Sequence, residues 1–356
     1  NFFIRDISSL SASNGDIWTL IDNATGEGAW QSLTIPVLTN EWHITGNNNI
    51  TAGNFIGTTT DNYLEFKVNN QKAGLILNNQ PWNTFFGYLA GNSNTSGQIN
   101  VGIGWGALED NTTGSSNTAV GLSALGHAVN SNENVAIGYG ALALVLNHRN
   151  VAIGTSAMTN SRDALENTAI GNYVLMANRQ GDNNTAAGSS ALRGNADGTN
   201  NVAVGIIALT QNTTSIDTIP ISSGGLGYTV ANVVISAPVV AADPNNNSLQ
   251  ATATATIGGG GAITGITIIE AGKGYSSYLP PTAIITGDGS GAILTVTLTS
   301  GENNTAIGAA ALATNRTGKS NTAVGYGAGS SILTGDYNVI IGGNNGATID
   351  GLDNRI

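Results

Sequence analysis

The sequence predicts an all-β fold, a parallel β-roll or β-helix solenoid of 17-residue coils with a small β domain inserted in it. Three observations carry this reading. A pentapeptide Asn-[Thr/Val]-x-x-Gly recurs eleven times, at Asn83, Asn100, Asn117, Asn134, Asn150, Asn167, Asn184, Asn201, Asn304, Asn321 and Asn338. The step is 17 residues except for one of 16, from Asn134 to Asn150, and one of 103, from Asn201 to Asn304. The long step exceeds the period by 86, so a foreign segment interrupts a regular array. Short-period self-similarity marks a solenoid, whose function usually lies in its length and surface rather than in a deep pocket.

Numbered from its Asn, each repeat has Thr or Val at position 2, and nine have Ile or Val at position 4, as in Ile103, Val120, Ile137, Ile153 and Ile170. β-Branched residues two apart read as a short strand, and positions 2 and 4 are expected to face a core. Position 3 is Ala in eight repeats: Ala119, Ala136, Ala152, Ala169, Ala186, Ala203, Ala306 and Ala323. A solvated strand face would carry Lys, Glu or Thr, so this alanine row is expected to be a second, flat contact surface, buried against another chain as the trimer interface. Position 5 is Gly throughout, as a bend with close backbone approach requires. Ala at position 8 and Leu at position 9 suggest a second short strand, followed by a polar turn such as Asn111-Thr112-Thr113-Gly114. Coils stacked at about 4.8 Å give a rod of roughly 50 Å. The recurrent Asn is expected to form a side-chain ladder that satisfies turn backbone groups. So small a core rarely stands alone, and a homotrimer closed about the rod axis is the expected assembly.

The strings NTAVG, NVAIG and NTAIG, each with its Ala-Leu step, resemble the left-handed parallel β-roll repeats of trimeric autotransporter adhesin heads. The longer string NTFFGYLAGNSNTSGQINVGIGWGAL, Asn83 to Leu108, is similar to repeats of phage tail fibres and related bacterial surface fibres. The resemblance covers Asn83 to Thr214 and Gly301 to about Gly346. It implies a structural and receptor-binding trimeric fibre of the phage tail-fibre type that mediates attachment to a host cell surface, located on the virion or an extracellular surface. Its implied partners are two further copies, other fibre or virion proteins, and a host surface glycan or protein. In such families the array often precedes a chaperone that trimerises the fibre and is then cleaved. The chain departs from the adhesin heads in its longer repeat, and it contains no coiled-coil stalk, membrane anchor or chaperone sequence. The alternatives are a bacterial trimeric surface adhesin and a carbohydrate-cleaving tailspike.

The flanks divide into a connector at 1–50, a degenerate coil and β-hairpin at 51–82, and a continuation at 347–356. Gly15 to Asp22, with Trp30 beyond it, resembles linking modules between tail-fibre segments, and Trp18, Trp30 and Trp42 are expected to plug small trimeric cores. Tyr63 to Val68, Asn69-Asn70-Gln71 and Lys72 to Leu77 read as a hairpin, and Gly53 to Gly57 as the degenerate coil. The chain begins at Asn1 rather than Met, as a piece of a longer or processed protein would.

The insertion is placed at Ser215 to Ser300, between roll segments 83–214 and 301–346, because Thr214 and Gly301 are the two halves of an Asn-Thr-Thr-Gly turn. Gly225-Leu-Gly-Tyr228 and Gly272-Lys-Gly-Tyr275 each precede a Pro-containing apolar run, which suggests a two-part β domain. Alternation in Ala251 to Ile257 and Ile293 to Leu298 supports strands. Insertions at exposed turns of a rigid scaffold are where binding concentrates. The candidate receptor-contacting residues are Tyr228, Tyr275, Tyr278, Asp243 and Asp288. Tyr228 and Tyr275, tied to Gly pairs, also fit a structural role.

Composition limits the alternatives. Only 9% of residues are charged, 49 are Gly and the net charge is −11, so no basic face is available for nucleic acid or an anionic membrane. No apolar stretch approaches a membrane span. Without cysteine there is no thiolate chemistry, and His43, His127 and His148 lie in no metal-ligand spacing. Gly258 to Gly261 lacks the Lys-Ser/Thr of a phosphate loop. Asp243, Glu270 and Asp288 are the insertion's candidate carboxylates for glycoside cleavage, and acidic turns at Asp336 and Asp243 to Asn247 are candidates for Ca²⁺. The expectation is nonetheless of no enzyme, no cofactor and no metal centre.

Overall fold

The structure, a computed structural model, describes residues 16–20, 28–32, 63–76, 82–238 and 248–343. Gly53 to Gly57, Trp42, His43, Asp243 and the segment 347–356 lie outside the described residues. The chain forms two units, 1–58 and 59–356. In the first, β1 (Asp16–Leu20) and β2 (Gly28–Ser32) pair antiparallel with Trp18 opposite Trp30.

The second unit begins with the hairpin β3 (Leu64–Val68) and β4 (Gln71–Ile76). Asn69 and Asn70 turn it with φ of 48° and 59°, the left-handed pair that a two-residue hairpin demands and that Asn tolerates. Strand β4 then pairs antiparallel with β5 (Thr84–Phe86), so the hairpin covers the first coil's edge. From there the chain coils through β6 (Val101–Ile103), β7 (Thr118–Val120), β8 (Val135–Ile137), β9 (Val151–Ile153), β10 (Thr168–Ile170), β11 (Thr185–Ala187) and β12 (Val202–Val204). Each pairs in parallel with the next, with like positions opposite one another, as Ala136 lies beside Ala152.

After β12 the chain leaves the solenoid. It makes β13 (Thr214–Ile216), β14 (Ile221–Leu226), β15 (Ala231–Ile235), β16 (Thr252–Ile257), β17 (Ile263–Glu270), β18 (Ala283–Gly287), β19 (Ser290–Leu294) and β20 (Leu298–Ser300). It then resumes with β21 (Thr305–Ile307), β22 (Thr322–Val324) and β23 (Val339–Ile341). Strand β21 pairs directly with β12, Ala306 beside Ala203, so the stack is continuous across the departure. The coil strands and the first hairpin make one 13-stranded sheet.

The faces of the coil strand are opposite to the sequence expectation. Ala119, Ala136, Ala152, Ala169, Ala186, Ala203, Ala306 and Ala323 are fully buried inside their own chain, so they cannot line an interface between chains. Positions 2 and 4 point outward instead, half-buried at position 2 and mostly exposed at position 4. The reason is volume. A coil this short encloses room for Ala at position 3, Ala at position 8 and one Leu or Met at position 9, all of them buried. β-Branched residues suit a strand on either face, so their presence does not identify the interior.

Positions 8 and 9 are also not a second strand. The backbone there is a succession of turns in which the buried Leu of position 9 is left-handed, with φ of 55° at Leu108, 49° at Leu125 and 50° at Leu209. Positions 7 and 17 are left-handed too, as at Ser123 (53°) and Ser116 (59°), and the position-5 glycines have φ between 123° and 137°. Each coil therefore has one strand and a path closed by four positive-φ corners. A Cβ on Gly121 would sit 2.6 Å from the carbonyl oxygen of Gly138 in the next coil, so Gly is required by contact as well as by φ.

Side-chain ladders offset the cost of these corners. Each position-1 Asn accepts through Oδ1 the backbone N–H of the next, from Asn100 to Asn83 (2.8 Å) through Asn338 to Asn321 (2.9 Å). Its Nδ2 donates to a turn carbonyl of its own coil, as Asn100 does to Gly114 (2.8 Å). The ladder crosses the departure without a break, Asn304 N–H donating to Asn201 Oδ1 at 3.0 Å. A second set at position 12, absent from the sequence reading, includes Asn111, Asn195, Asn212 and Asn315, which donate to the position-15 carbonyl three residues on or its equivalent across the departure. At the next turn the backbone N–H of one coil donates to a side chain of the following one: Ser115 to Asn132 Oδ1 (2.7 Å), Asn132 to His148 Nδ1 (2.8 Å) and Leu165 to Asp182 Oδ1 (2.7 Å). His148 is thus a structural acceptor rather than a solvated side chain. His127 pairs with Asp110 across one coil step at 2.7 Å.

Candidate recognition module

Residues 214–238 and 248–300 form a small two-sheet domain on a two-strand stem. In the stem β13 and β20 are antiparallel, with Thr214 opposite Ser300. On the next residue, Gly301, the carbonyl accepts both Asn201 Nδ2 (3.0 Å) and Asn212 Nδ2 (2.9 Å), which closes the host coil. Beyond the stem, β14 pairs with β19, and β17-β16-β15-β18 form an antiparallel four-stranded sheet. Ile216, Ile219, Ile235, Ala251, Tyr275 and Ala283 make a core separate from the solenoid's.

The strands alternate in direction, so the domain has a base at the shaft and a tip away from the stem. The two Gly-x-Gly-Tyr motifs sit at these opposite ends. At the tip, Gly225 and Gly227 are left-handed (62° and 78°), and they deliver Tyr228, which is buried. Tyr228 N–H donates to Gly261 O (2.9 Å), and a Cβ on Gly289 would lie 2.5 Å from the Tyr228 ring. Asp288 fastens the third tip turn. Its carboxylate accepts the Thr229 hydroxyl, Thr229 N–H (2.9 Å) and Val230 N–H (3.0 Å), and these bonds, the hydroxyl's first, hold its carboxyl well below the usual range. Beside it, Leu226 and Val230 are exposed.

At the base, Gly272 (70°) and Gly274 (84°) deliver Tyr275 in the same way. Tyr275 is 1% exposed, and its hydroxyl accepts Ala251 N–H (2.9 Å) and donates to Ser236 O (3.2 Å). Burial pushes the phenol up, and the Ala251 bond opposes this. Tyr278 is partly exposed, but its ring lies under the Arg162 guanidinium of the shaft at 5.7 Å.

The sequence candidates therefore do not converge on one site. Tyr228 and Tyr275 are pegs inside the domain, buried away from any receptor, because the flanking left-handed glycines turn each ring inward. Asp288 is at the surface with both oxygens engaged, and Tyr278 faces the shaft. Glu270 is 3.8 Å from Arg316, so neither described carboxylate candidate has the other as a partner. Among the described residues no cluster of His, Asp or Glu could hold a metal ion, and no helix is long and apolar enough to cross a membrane.

What sequence reasoning missed is the outer face of the four-stranded sheet. Thr286, Asn232, Thr254 and Thr267 are paired in a row across its strands and all are exposed. Val234 and Ile284, exposed and paired, lie one step along. The alternation of Thr with Ala in Ala251 to Ile257 was the available signal: Ala faces the domain core and Thr faces out. This face offers uncharged hydroxyl and amide groups beside aliphatic ones, a chemistry that can hydrogen-bond neutral polar ligands such as glycans. No protein-family model, no curated protein and no solved structure matches this chain.

Proposed function

We propose that the chain is the shaft, with its side module, of a homotrimeric fibre of the phage tail-fibre type, and that the module meets a glycan or protein on a host surface. The observation that carries the reading is the outward face of the shaft. Across all eleven coils, positions 2, 4 and 6 hold no charged residue. Phe86, Ile103, Ile137, Ile153, Ile170, Val204, Ile307 and Ile341 at position 4 are 36% to 74% exposed, and Tyr88, Trp105, Leu122, Tyr139, Ile206 and Tyr326 join them at position 6. If each keeps on the order of 80 Å² open, the stripe offers roughly 1,000 Å² of apolar surface, against the ~800 Å² each partner buries in a standard interface. Parallel sheets are normally covered on both faces, and a partner with the same coil spacing matches this stripe along its whole length. Association thus moves from the alanines, which are inside, to the β-branched row.

The test has two arms. Light scattering reads the assembly: a trimer that Ile137→Glu with Ile170→Glu dissociates supports the reading, and a stable monomer at micromolar concentration overturns it. A chain with Thr214 joined directly to Gly301 reads attachment, using labelled protein on a panel of bacterial cells of differing surface glycans. Loss of binding with the assembly intact supports the module as the contact element. Undiminished binding places the contact elsewhere.

A further inference from the structure

We propose that Gly274 and Ser276 to Tyr278, on either side of the buried Tyr275, form a strap that fixes the orientation of the module against the shaft and that can be released, with Tyr275 still seated in the module core, without unfolding either. This goes beyond the reading above and does not depend on it. Gly274 N–H donates to Thr213 Oγ1 (3.1 Å), Ser276 Oγ to Asp197 Oδ1 (3.0 Å) and Ser277 N–H to Asp197 Oδ2 (2.8 Å). Ser277 Oγ also donates to Gln180 Oε1, and Tyr278 stacks on Arg162. With the Glu270–Arg316 pair, these contacts reach the turns of five successive coils, those beginning at Asn150, Asn167, Asn184, Asn201 and Asn304.

Two observations make this a built device rather than incidental proximity. The turn residues at positions 13 and 14 are uncharged in the coils before Asn150 (Thr95-Ser96, Thr112-Thr113, Val129-Asn130, Leu146-Asn147) and again after the module, at Leu333-Thr334. Charge at these positions is confined to the coils under the strap, as Arg162, Asp163, Arg179, Asp197 and Arg316. Moreover, the contacts are made by polar groups and one ring-guanidinium pair, while the two apolar cores share no residue. The bonds of Ser277 are exposed and those of Gly274 and Ser276 partly buried, each contributing little by itself, so the strap holds by number and geometry, and its release with Tyr275 in place removes no core packing. Once it is free, only the β13–β20 stem sets the module's direction.

The experiment uses the full chain carrying Arg162→Ala with Asp197→Ala, and Arg162→Ala alone as a milder variant. The chain has no cysteine, so Val129→Cys on the shaft and Ser290→Cys at the tip give a unique spin-label pair, with labelled chains diluted among unlabelled ones. The expected result is a narrow distance distribution that broadens in the double variant. The Ser277 amide should exchange at least tenfold faster, trypsin should cut after Lys273, and amides of β15 to β18 and of the coil strands should keep their protection. A distribution that stays narrow would show that the Arg162 and Asp197 contacts do not hold the orientation, and protection lost across β15 to β18 or the coils would show that the strap belongs to the fold. Either result overturns the proposal.

Discussion

Ala152 and Ile153 are neighbours on one coil strand, and the structure assigns them opposite fates when each is changed to Glu. Ala152 is completely buried between the alanines of the adjacent coils, Ala136 and Ala169. A Glu there places an unpaired carboxylate in a dry interior, a cost of several kcal/mol, and its extra volume adds about 1–3 kcal/mol of overpacking. In a solenoid each coil leans only on its neighbours, so the damage is expected as local melting of roughly the affected coil and the two beside it. Ile153 is 36% exposed, and Glu at that position can hold its charge in water. The loss is the remaining burial of the aliphatic chain, about 1–2 kcal/mol, together with the association proposed above for the outward stripe. Circular dichroism during urea denaturation and light scattering read the two effects separately. The expected outcome is that Ala152→Glu lowers the denaturation midpoint sharply, whereas Ile153→Glu keeps the β spectrum and reduces the particle size. Should Ala152→Glu melt normally while Ile153→Glu loses its β-structure, the face assignment would be refuted.

Gly121→Ala should destabilise by more than 1 kcal/mol, since its φ is +133° and the added carbon would meet the Gly138 carbonyl; an unchanged melting temperature would contradict the coil spacing. Asn167→Leu leaves the buried backbone N–H of Asn184 without its acceptor, while Asn184 Nδ2 keeps Gly198 O and Gly181 O keeps Asn178 Nδ2, a cost of about 1–3 kcal/mol measurable by thermal melting. Tyr275→Phe leaves Ala251 N–H without its acceptor and should loosen the module, read as faster exchange at Ala251, while the coils keep their stability. Asp182 carries a pH prediction. Burial first, and then the Glu166 charge, raise its carboxyl above the ordinary value, against the Leu165 N–H bond that lowers it. The folded chain therefore binds this proton more tightly than the unfolded one, and stability falls as pH rises through the folded value. Asp182→Asn keeps the acceptor for Leu165, as Asn132 does for Ser115, and should raise the neutral-pH denaturation midpoint by an amount that disappears below about pH 4.

The period and the glycine of position 5 made the solenoid readable, because both are consequences of stacking: a fixed step keeps like residues adjacent, and only Gly fits where consecutive coils touch. The Asn ladder was readable for the same reason, an amide at fixed intervals having both the donor and the acceptor that a column of turns requires. The orientation of the strand was not. Thr, Val and Ile at positions 2 and 4 look like a core in any two-residue alternation, and the deciding quantity, the interior volume of one coil, depends on how the other fourteen residues turn. Those turns were opaque because Leu108, Leu125 and Leu209 adopt left-handed backbone conformations that Leu rarely adopts. Their propensity argues for a strand, and only the closed path of the coil overrules it. In the module, Tyr228 and Tyr275 are aromatic residues beside paired glycines, a pattern that fits both a contact residue and a buried peg. The left-handed glycines settle it by directing each ring inward.

Shaft and module obey different rules of stability, and their junction keeps the two apart. The shaft is held by a column of repeated hydrogen bonds in which Asn201 hands on to Asn304 as though nothing lay between them. The module is held by its own apolar cluster around Tyr275, with its peptide groups paired antiparallel. Covalent continuity passes only through Thr214 and Ser300, which face each other across the stem, so the host coil closes whatever the length of the excursion. A substitution in the module can change its outer hydroxyl face without disturbing a single rung of the ladder. Conversely, the shaft can be lengthened by whole coils without altering the module, because each added coil brings its own Asn, its own Gly and its own buried alanines.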